Sequence, residues 1–217
     1  MFQRLLKENK SFFILLFSFL AAIGIVLISI PKGNIHLFLN QFHTPFFDAF
    51  FRVITFGGDG LMPFIFGVFF LFFVSYKKAI FISLVPSIAG LVSQFFKRVL
   101  FPDVLRPKGY FKNLADLYFV PGVDVHTMHS FPSGHTTTIF SIAFCMAFFS
   151  KKSSWKMVWF VIACFVGYSR IYLSQHFLID VYFGIILGVL TTFLLLMIYP
   201  KVKSEGLNKS LLKTIKK

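Results

Sequence analysis

The chain has 217 residues, 57% hydrophobic and 14% charged, with 22 Lys and Arg against 8 Asp and Glu for a net charge of +14. A water-soluble domain is nearer half apolar and a quarter charged, so this composition excludes an ordinary soluble fold and turns the surplus apolar residues toward lipid. The length suits one domain over 1–217, and the basic balance suits membrane margins or an anionic substrate rather than nucleic acid.

The first ten residues are basic, and an apolar run over 12–30 follows, stopped by Pro31. That run is longer than a signal-peptide core and lacks a small-x-small cleavage site, so it reads as a first membrane helix. Over 34–56 the pattern mixes Phe, Leu and Ile with His36, His43, Asp48 and Arg52, which predicts short amphipathic helices at the membrane interface, with a re-entrant element as the alternative. Further apolar runs predict helices over 61–75, 79–96, 136–149, 155–168 and 177–199, the last stopped by Pro200. The expected fold is all-α, an integral-membrane six-transmembrane-helix bundle with short interfacial helices. The 34 Phe residues read as lipid-facing filler, and Cys145 and Cys164, both in apolar runs, as packing residues rather than a disulfide or metal site.

Six spans put both termini on one side. That side holds fourteen Lys and Arg, among them Lys77, Lys78, Lys151, Lys152 and the Lys residues of the tail 201–217, and the other side holds eight. The excess of positive charge places the termini in the cytoplasm and the opposite helix ends outside an inner, cytoplasmic membrane. The basic tail is either a strap on the inner leaflet or a solvated end.

Polar residues gather at the outer helix ends. Lys97, Arg98 and Arg106 follow the third predicted span, Ser133 and His135 open the fourth, Arg170 closes the fifth, and His176 and Asp180 open the sixth. Ionisable groups at such depth cost free energy and mark function. Three fixed cations suit an anion with several oxygens, such as phosphate, and Arg offers it planar paired donors. Ser133 and Gly134 lie where a helix begins, where free N–H groups and the helix dipole favour the same anion. His176 and Asp180, four residues apart, share a helix face, so the carboxylate can fix the imidazole tautomer and leave the other nitrogen able to attack. His135 would then protonate the leaving oxygen. A zinc site of His135, His176 and Asp180 is the competing reading, and three cations beside a metal count against it. His126 and His129 read as loop histidines without a role, with contact to a head group as the alternative, and Lys108 and Lys112 as solvated loop charge, with a field at the site entrance as the alternative.

Pro132-Ser133-Gly134-His135 is followed, after 33 residues, by Ser169-Arg170, then His176 and Asp180. These two blocks resemble the signature of the type 2 phosphatidic acid phosphatase (PAP2) superfamily, which includes lipid phosphate phosphatases, undecaprenyl-diphosphate phosphatases and bacterial lipid A phosphatases. The family's first block, Lys, six residues, Arg-Pro, is altered. Arg106-Pro107 is present, but Val99 stands where the family has Lys. Lys97 fills that role if a bulge or extra turn absorbs two residues, and Arg98 is the other candidate. The motif core thus runs over 97–180.

The resemblance implies a metal-free, cofactor-free mechanism. His176 attacks phosphorus, Asp180 orients it and His135 protonates the leaving group, while Lys97, Arg106 and Arg170, with Ser133 and the Gly134 N–H, hold the phosphate oxygens. The expected activity is hydrolysis of a phosphorylated membrane lipid of the cell envelope, with undecaprenyl diphosphate and lipid A as leading substrates. Phosphatidylglycerol phosphate and phosphatidic acid are further candidates. Phosphotransfer to an alcohol and non-catalytic lipid binding are the alternative functions.

Overall fold

The computed structural model describes residues 2–202, 204 and 206–215. Lys203, Glu205, Lys216 and Lys217 of the basic tail lie outside the described residues, as does Met1. The chain runs through α1 (Phe2–Glu8), α2 (Lys10–Ser29), α3 (Lys32–Leu39), α4 (Pro45–Ile54), α5 (Met62–Phe73), α6 (Tyr76–Phe95), α7 (Pro107–Tyr110), α8 (Gly134–Phe149), α9 (Ser153–Tyr172), α10 (Leu178–Leu196) and α11 (Leu211–Ile215). There is no strand among the described residues. Helix starts follow local chemistry. Thr44 Oγ1 accepts from Phe47 N–H (3.2 Å) ahead of Pro45, and Ser75 Oγ accepts from Lys78 N–H (3.3 Å), each supplying an acceptor that the first turn lacks.

The six apolar runs lie on α2, α5, α6, α8, α9 and α10. Three stretches are long and apolar enough to cross a membrane alone: Lys10–Ser29, Tyr76–Leu100 and Leu178–Lys201. The six-span plan is therefore met only in part. α5 has 12 residues, about 18 Å at 1.5 Å per residue, short of a hydrocarbon core of about 30 Å. It continues the predicted interfacial segment, α4 and a 3₁₀ turn (Thr55–Gly58), through a bend of 67°. α8 is short as well, with 16 residues.

α8 is the axis of the bundle. Every residue from Thr136 to Cys145 is buried, packed by α6, α9 and α10, which is why its sequence has no polar stripe. The outer helices show the reverse. Phe17, Ile25 and Ile28 of α2, Phe64 and Phe69 of α5, and Leu190 and Leu194 of α10 are exposed, apolar surface of the kind that suits lipid rather than water. Phe is not only filler for that surface. Phe12, Phe144 and Phe160 form a buried stack (5.3 and 5.6 Å from the Phe12 ring) that joins α2 to α8 and α9, where quadrupole-favoured ring contacts add to burial. Cys145 and Cys164 are free thiols. At the opposite end from the polar loops, buried Lys156 of α9 donates to the Glu8 carbonyl and to Asn9 Oδ1, tying down the α1–α2 junction. Within the tail, Lys209 and Ser210 are docked, since Tyr76 N–H donates to the Lys209 carbonyl (2.9 Å) and Ser210 is buried.

α8 and α10 approach closely because α10 presents Gly184 and Gly188, one turn apart. A Cβ on Gly184 would lie 2.8 Å from the Ser133 carbonyl oxygen, and one on Gly188 would overlap the Thr137 carbonyl. Small residues at this spacing let helix backbones meet without a hydrophobic drive between them. Gly188→Ala is expected to destabilise the bundle by about 1–3 kcal/mol through overpacking. Gly60→Ala, at a position with open space around it, is expected to change stability far less. Thermal unfolding of both variants in detergent checks this, and equal midpoints would refute the tight α8–α10 contact.

Candidate active site

The loops at one end of the bundle close over a cavity of about 720 Å³. Lys97, Arg106, Gly134, His135, Arg170 and His176 all line it. They arrive from the end of α6, the loop before α7, the start of α8, the end of α9 and the loop before α10.

α6 ends in a widened turn. Phe101 N–H donates to the Phe96 carbonyl (2.9 Å), a five-residue step that closes a π turn over Phe96–Leu100. Such a bulge takes up one additional residue, one of the two by which the interval between Lys97 and Arg106 exceeds the Lys, six residues, Arg-Pro spacing. Within it Lys97 is buried and reaches the cavity, and Arg98 is exposed outside it. Arg106 is held by the loops before α8 and α10, donating from Nε to the Met128 carbonyl (2.9 Å) and from Nη1 to Gln175 Oε1 (2.6 Å). Arg170 donates from Nη1 to Thr55 Oγ1 (2.6 Å), and its buried Nε has no partner. All three cations are more than nine-tenths buried, and none has a carboxylate within ion-pair distance among the described residues.

His176 Nδ1 lies 3.4 Å from Asp180 Oδ2 and 3.5 Å from Ser130 Oγ. The same Asp180 oxygen accepts from the Ser130 hydroxyl and from Phe177 N–H (2.9 Å). Asp180 is thus fixed from two sides, and with Nδ1 turned to it the His176 Nε2 edge is the one left for the cavity. Burial, reinforced by Lys97, Arg106 and Arg170, holds the His176 imidazole well below its ordinary value of 6.5. Asp180 does not line the cavity.

Ser133 also sits behind the cavity wall rather than on it. Its Oγ accepts from Thr136 Oγ1 (2.8 Å) and Thr136 N–H (3.4 Å), and its N–H donates to the Asp180 carbonyl (3.0 Å). It is the N-cap of α8. The N–H groups of Gly134 and His135, first in the helix, have no intrahelical acceptor and belong to residues that face the cavity. His135 is backed by Gly58, where a Cβ would come within 2.6 Å of the His135 carbonyl oxygen.

Several contributors escaped the sequence reading. Ser130, Thr55, Gly58 and Gln175 carry no motif spacing, and they reach the site only because loops and the α4–α5 bend fold over it. Arg52 and His126 also line the cavity. No three of His, Cys, Asp and Glu converge as metal ligands among the described residues.

Comparison with known proteins follows the same outline. The PAP2 superfamily pattern matches residues 78–204, more than half of the chain. A lipid A 4'-phosphatase of Porphyromonas gingivalis is 30% identical over 82% of this chain and 77% of its own length. The chain spans only 36% and 58% of the lengths of two Bacillus relatives. The better covered of these is the undecaprenyl-diphosphatase BcrC of Bacillus subtilis, 32% identical over 47% of this chain. The crystal structure of Aquifex aeolicus LpxE superposes with a TM-score of 0.63 at 25% identity, covering 78% of this chain and 94% of that one. A pattern match over more than half of the chain, relatives named as phosphatases and a shared fold identify the chain as a member of the PAP2 superfamily.

Proposed function

We propose that this chain crosses the membrane six times and removes a phosphoryl group from an envelope lipid at the outer face through a phosphohistidine on His176. One observation carries the reading: Lys97, Arg106 and Arg170 are buried around one cavity without a carboxylate partner among the described residues. Buried charge left unpaired is strongly unfavourable, and a phosphate among the three cations would balance it. His176 Nε2 attacks phosphorus as the bond to the leaving oxygen breaks, and His135 supplies the proton to that oxygen. Water, deprotonated by His135, then breaks the P–N bond and releases phosphate. Asp180 keeps the proton on Nδ1 throughout. The Gly134 and His135 N–H groups at the α8 start, with the three cations, neutralise the charge on the phosphoryl oxygens. Ser133 contributes by capping the helix that presents those groups.

Orientation rests on the fourteen-to-eight distribution of Lys and Arg. Two substrate readings have support. Relationship to a lipid A 4'-phosphatase over most of the chain favours a sugar phosphate ester, and relationship to an undecaprenyl-diphosphatase favours a lipid diphosphate. Purified protein in detergent is expected to release phosphate from at least one of these lipids, and to keep doing so in EDTA. Loss of activity on chelation, restored by a divalent metal, would sink the metal-free mechanism.

The pH profile tests the nucleophile separately. His176 must be neutral to attack, and its pKa is depressed below 6.5 by burial and the surrounding cations. Neutral imidazole therefore persists as pH falls, and the acid limb of kcat/KM is expected below pH 6.5, once the substrate's own second ionisation near pH 6 is allowed for. An enzyme-borne acid limb at or above pH 6.5 would count against a buried His176 nucleophile.

A further inference from the structure

A second cleft, of about 800 Å³, meets the first at Lys97 and Arg106. Gln94 and His126 also belong to both, and Arg98 and His129 line only the second. No carboxylate is among its lining residues. The side chains of Arg98, His126 and His129 make no hydrogen bond or ion pair among the described residues. The loop that carries the two histidines is nevertheless firmly held. Arg106 donates from its backbone N–H to Thr127 (2.8 Å) and from Nε to Met128 (2.9 Å), and Ser130 N–H donates to Val104 (2.9 Å). His129 is kept in the left-handed region, at φ 58°, a conformation that persists only where its surroundings enforce it. A rigid basic cleft without its own counter-charge is built for an anion.

We infer that this second cleft is a subsite for a second phosphoryl group joined directly to the one that His176 attacks, so that the preferred substrate class is a lipid diphosphate. The inference rests on the phosphatase reading above and selects between its two substrates. Lys97 and Arg106 face both clefts, so the two anionic groups they serve are neighbours, as in a diphosphate and not as in two distant esters of a sugar head group. In the attack on the terminal phosphorus, the bond to the bridging oxygen breaks and the lipid monophosphate leaves with its charge facing Arg98. The lipid chain also has a path. Arg98 follows Gln94 by four residues, and below them the exposed side chains of Phe95, Leu91, Ile88 and Leu84 descend α6 toward the bilayer.

Binding of soluble probes tests the subsite without turnover. Methylenediphosphonate and methylphosphonate would be titrated calorimetrically into the full-length protein in detergent. Methylenediphosphonate is expected to bind about ten-fold more tightly, the gain from one further charge-assisted contact set. Arg98→Gln is expected to collapse that ratio toward one, and Arg98→Lys to keep most of it. A ratio near one in the native chain would overturn the subsite, as would an undiminished ratio in Arg98→Gln. Phosphate release measured on the same preparation separates the two claims. The ratio without release from any lipid would leave the subsite standing and remove the phosphatase reading. Release without the ratio would do the opposite.

Discussion

His176→Ala is expected to lower phosphate release from a lipid phosphate by at least about four orders of magnitude, because the proposed covalent step has no other nucleophile. The cavity is lined by two further imidazoles, His135 and His126, and among the described residues neither is paired with a carboxylate as His176 is with Asp180. The native enzyme, quenched during turnover of a radiolabelled substrate, is expected to carry phosphate that is labile in acid and stable in base, as a phosphoramidate is, and His176→Ala to carry none. Graded losses should follow the chain of contacts behind the ring. Asp180→Asn removes the charge that holds the Nδ1 proton, and Ser130→Ala removes only one of the two donors that fix Asp180, so the order of damage is His176, then Asp180, then Ser130. Turnover by folded His176→Ala at more than a few per cent of the native rate would end the assignment, as would labelled enzyme in that variant.

His135→Gln is expected to cost about 10²–10⁴-fold in kcat with a lipid phosphate monoester, the range for a lost general acid. The size of the loss should depend on the leaving group. An alkoxide leaves poorly without a proton, whereas a phosphate or a nitrophenolate leaves well on its own. The same variant is therefore expected to retain far more of its activity on a lipid diphosphate or on p-nitrophenyl phosphate than on the monoester. A leaving-group-independent loss would instead mean that His135 acts by holding the phosphate or the α8 start. The Gly58 contact makes that alternative concrete, since His135 is pinned from behind by backbone rather than by side chains. The comparison needs kcat for three substrates on one preparation, with the unfolding midpoint of the variant matched to the native chain.

Much of the architecture was legible in composition and period. Apolar runs of 14 to 23 residues punctuated by Pro31 and Pro200 have no stable solution in water other than helices packed together or against lipid, and each run lies on a helix. Their number as full spans was not legible. Whether 61–75 crosses the membrane depends on how α4 and α5 join, and the 67° bend between them comes from packing that no local pattern encodes. The central place of α8 was hidden for a related reason. An apolar helix in lipid and one surrounded by other helices look alike in sequence, and only the packing of α6, α9 and α10 around α8 distinguishes its environment.

The candidate site divides the same way. By itself the sequence determined which chemistry was available: His176 and Asp180 at helical spacing, His135 beside a helix start, and cations at the same ends of successive helices, since charges at membrane depth are retained only at a cost. Tertiary structure alone decided which of these groups face one another. Six of the eight expected residues line one cavity, and Ser133 and Asp180 stand behind it as cap and support. The π turn buries Lys97 at the cavity and exposes Arg98 outside it, a difference between adjacent residues that spacing did not reveal. Ser130, Thr55 and Gln175 reached the site from loops and a bent helix pair. The physical reason is range. Period and charge act over a few residues along the chain, whereas a binding site is made by side chains about fifty to a hundred residues apart whose meeting is set by helix packing.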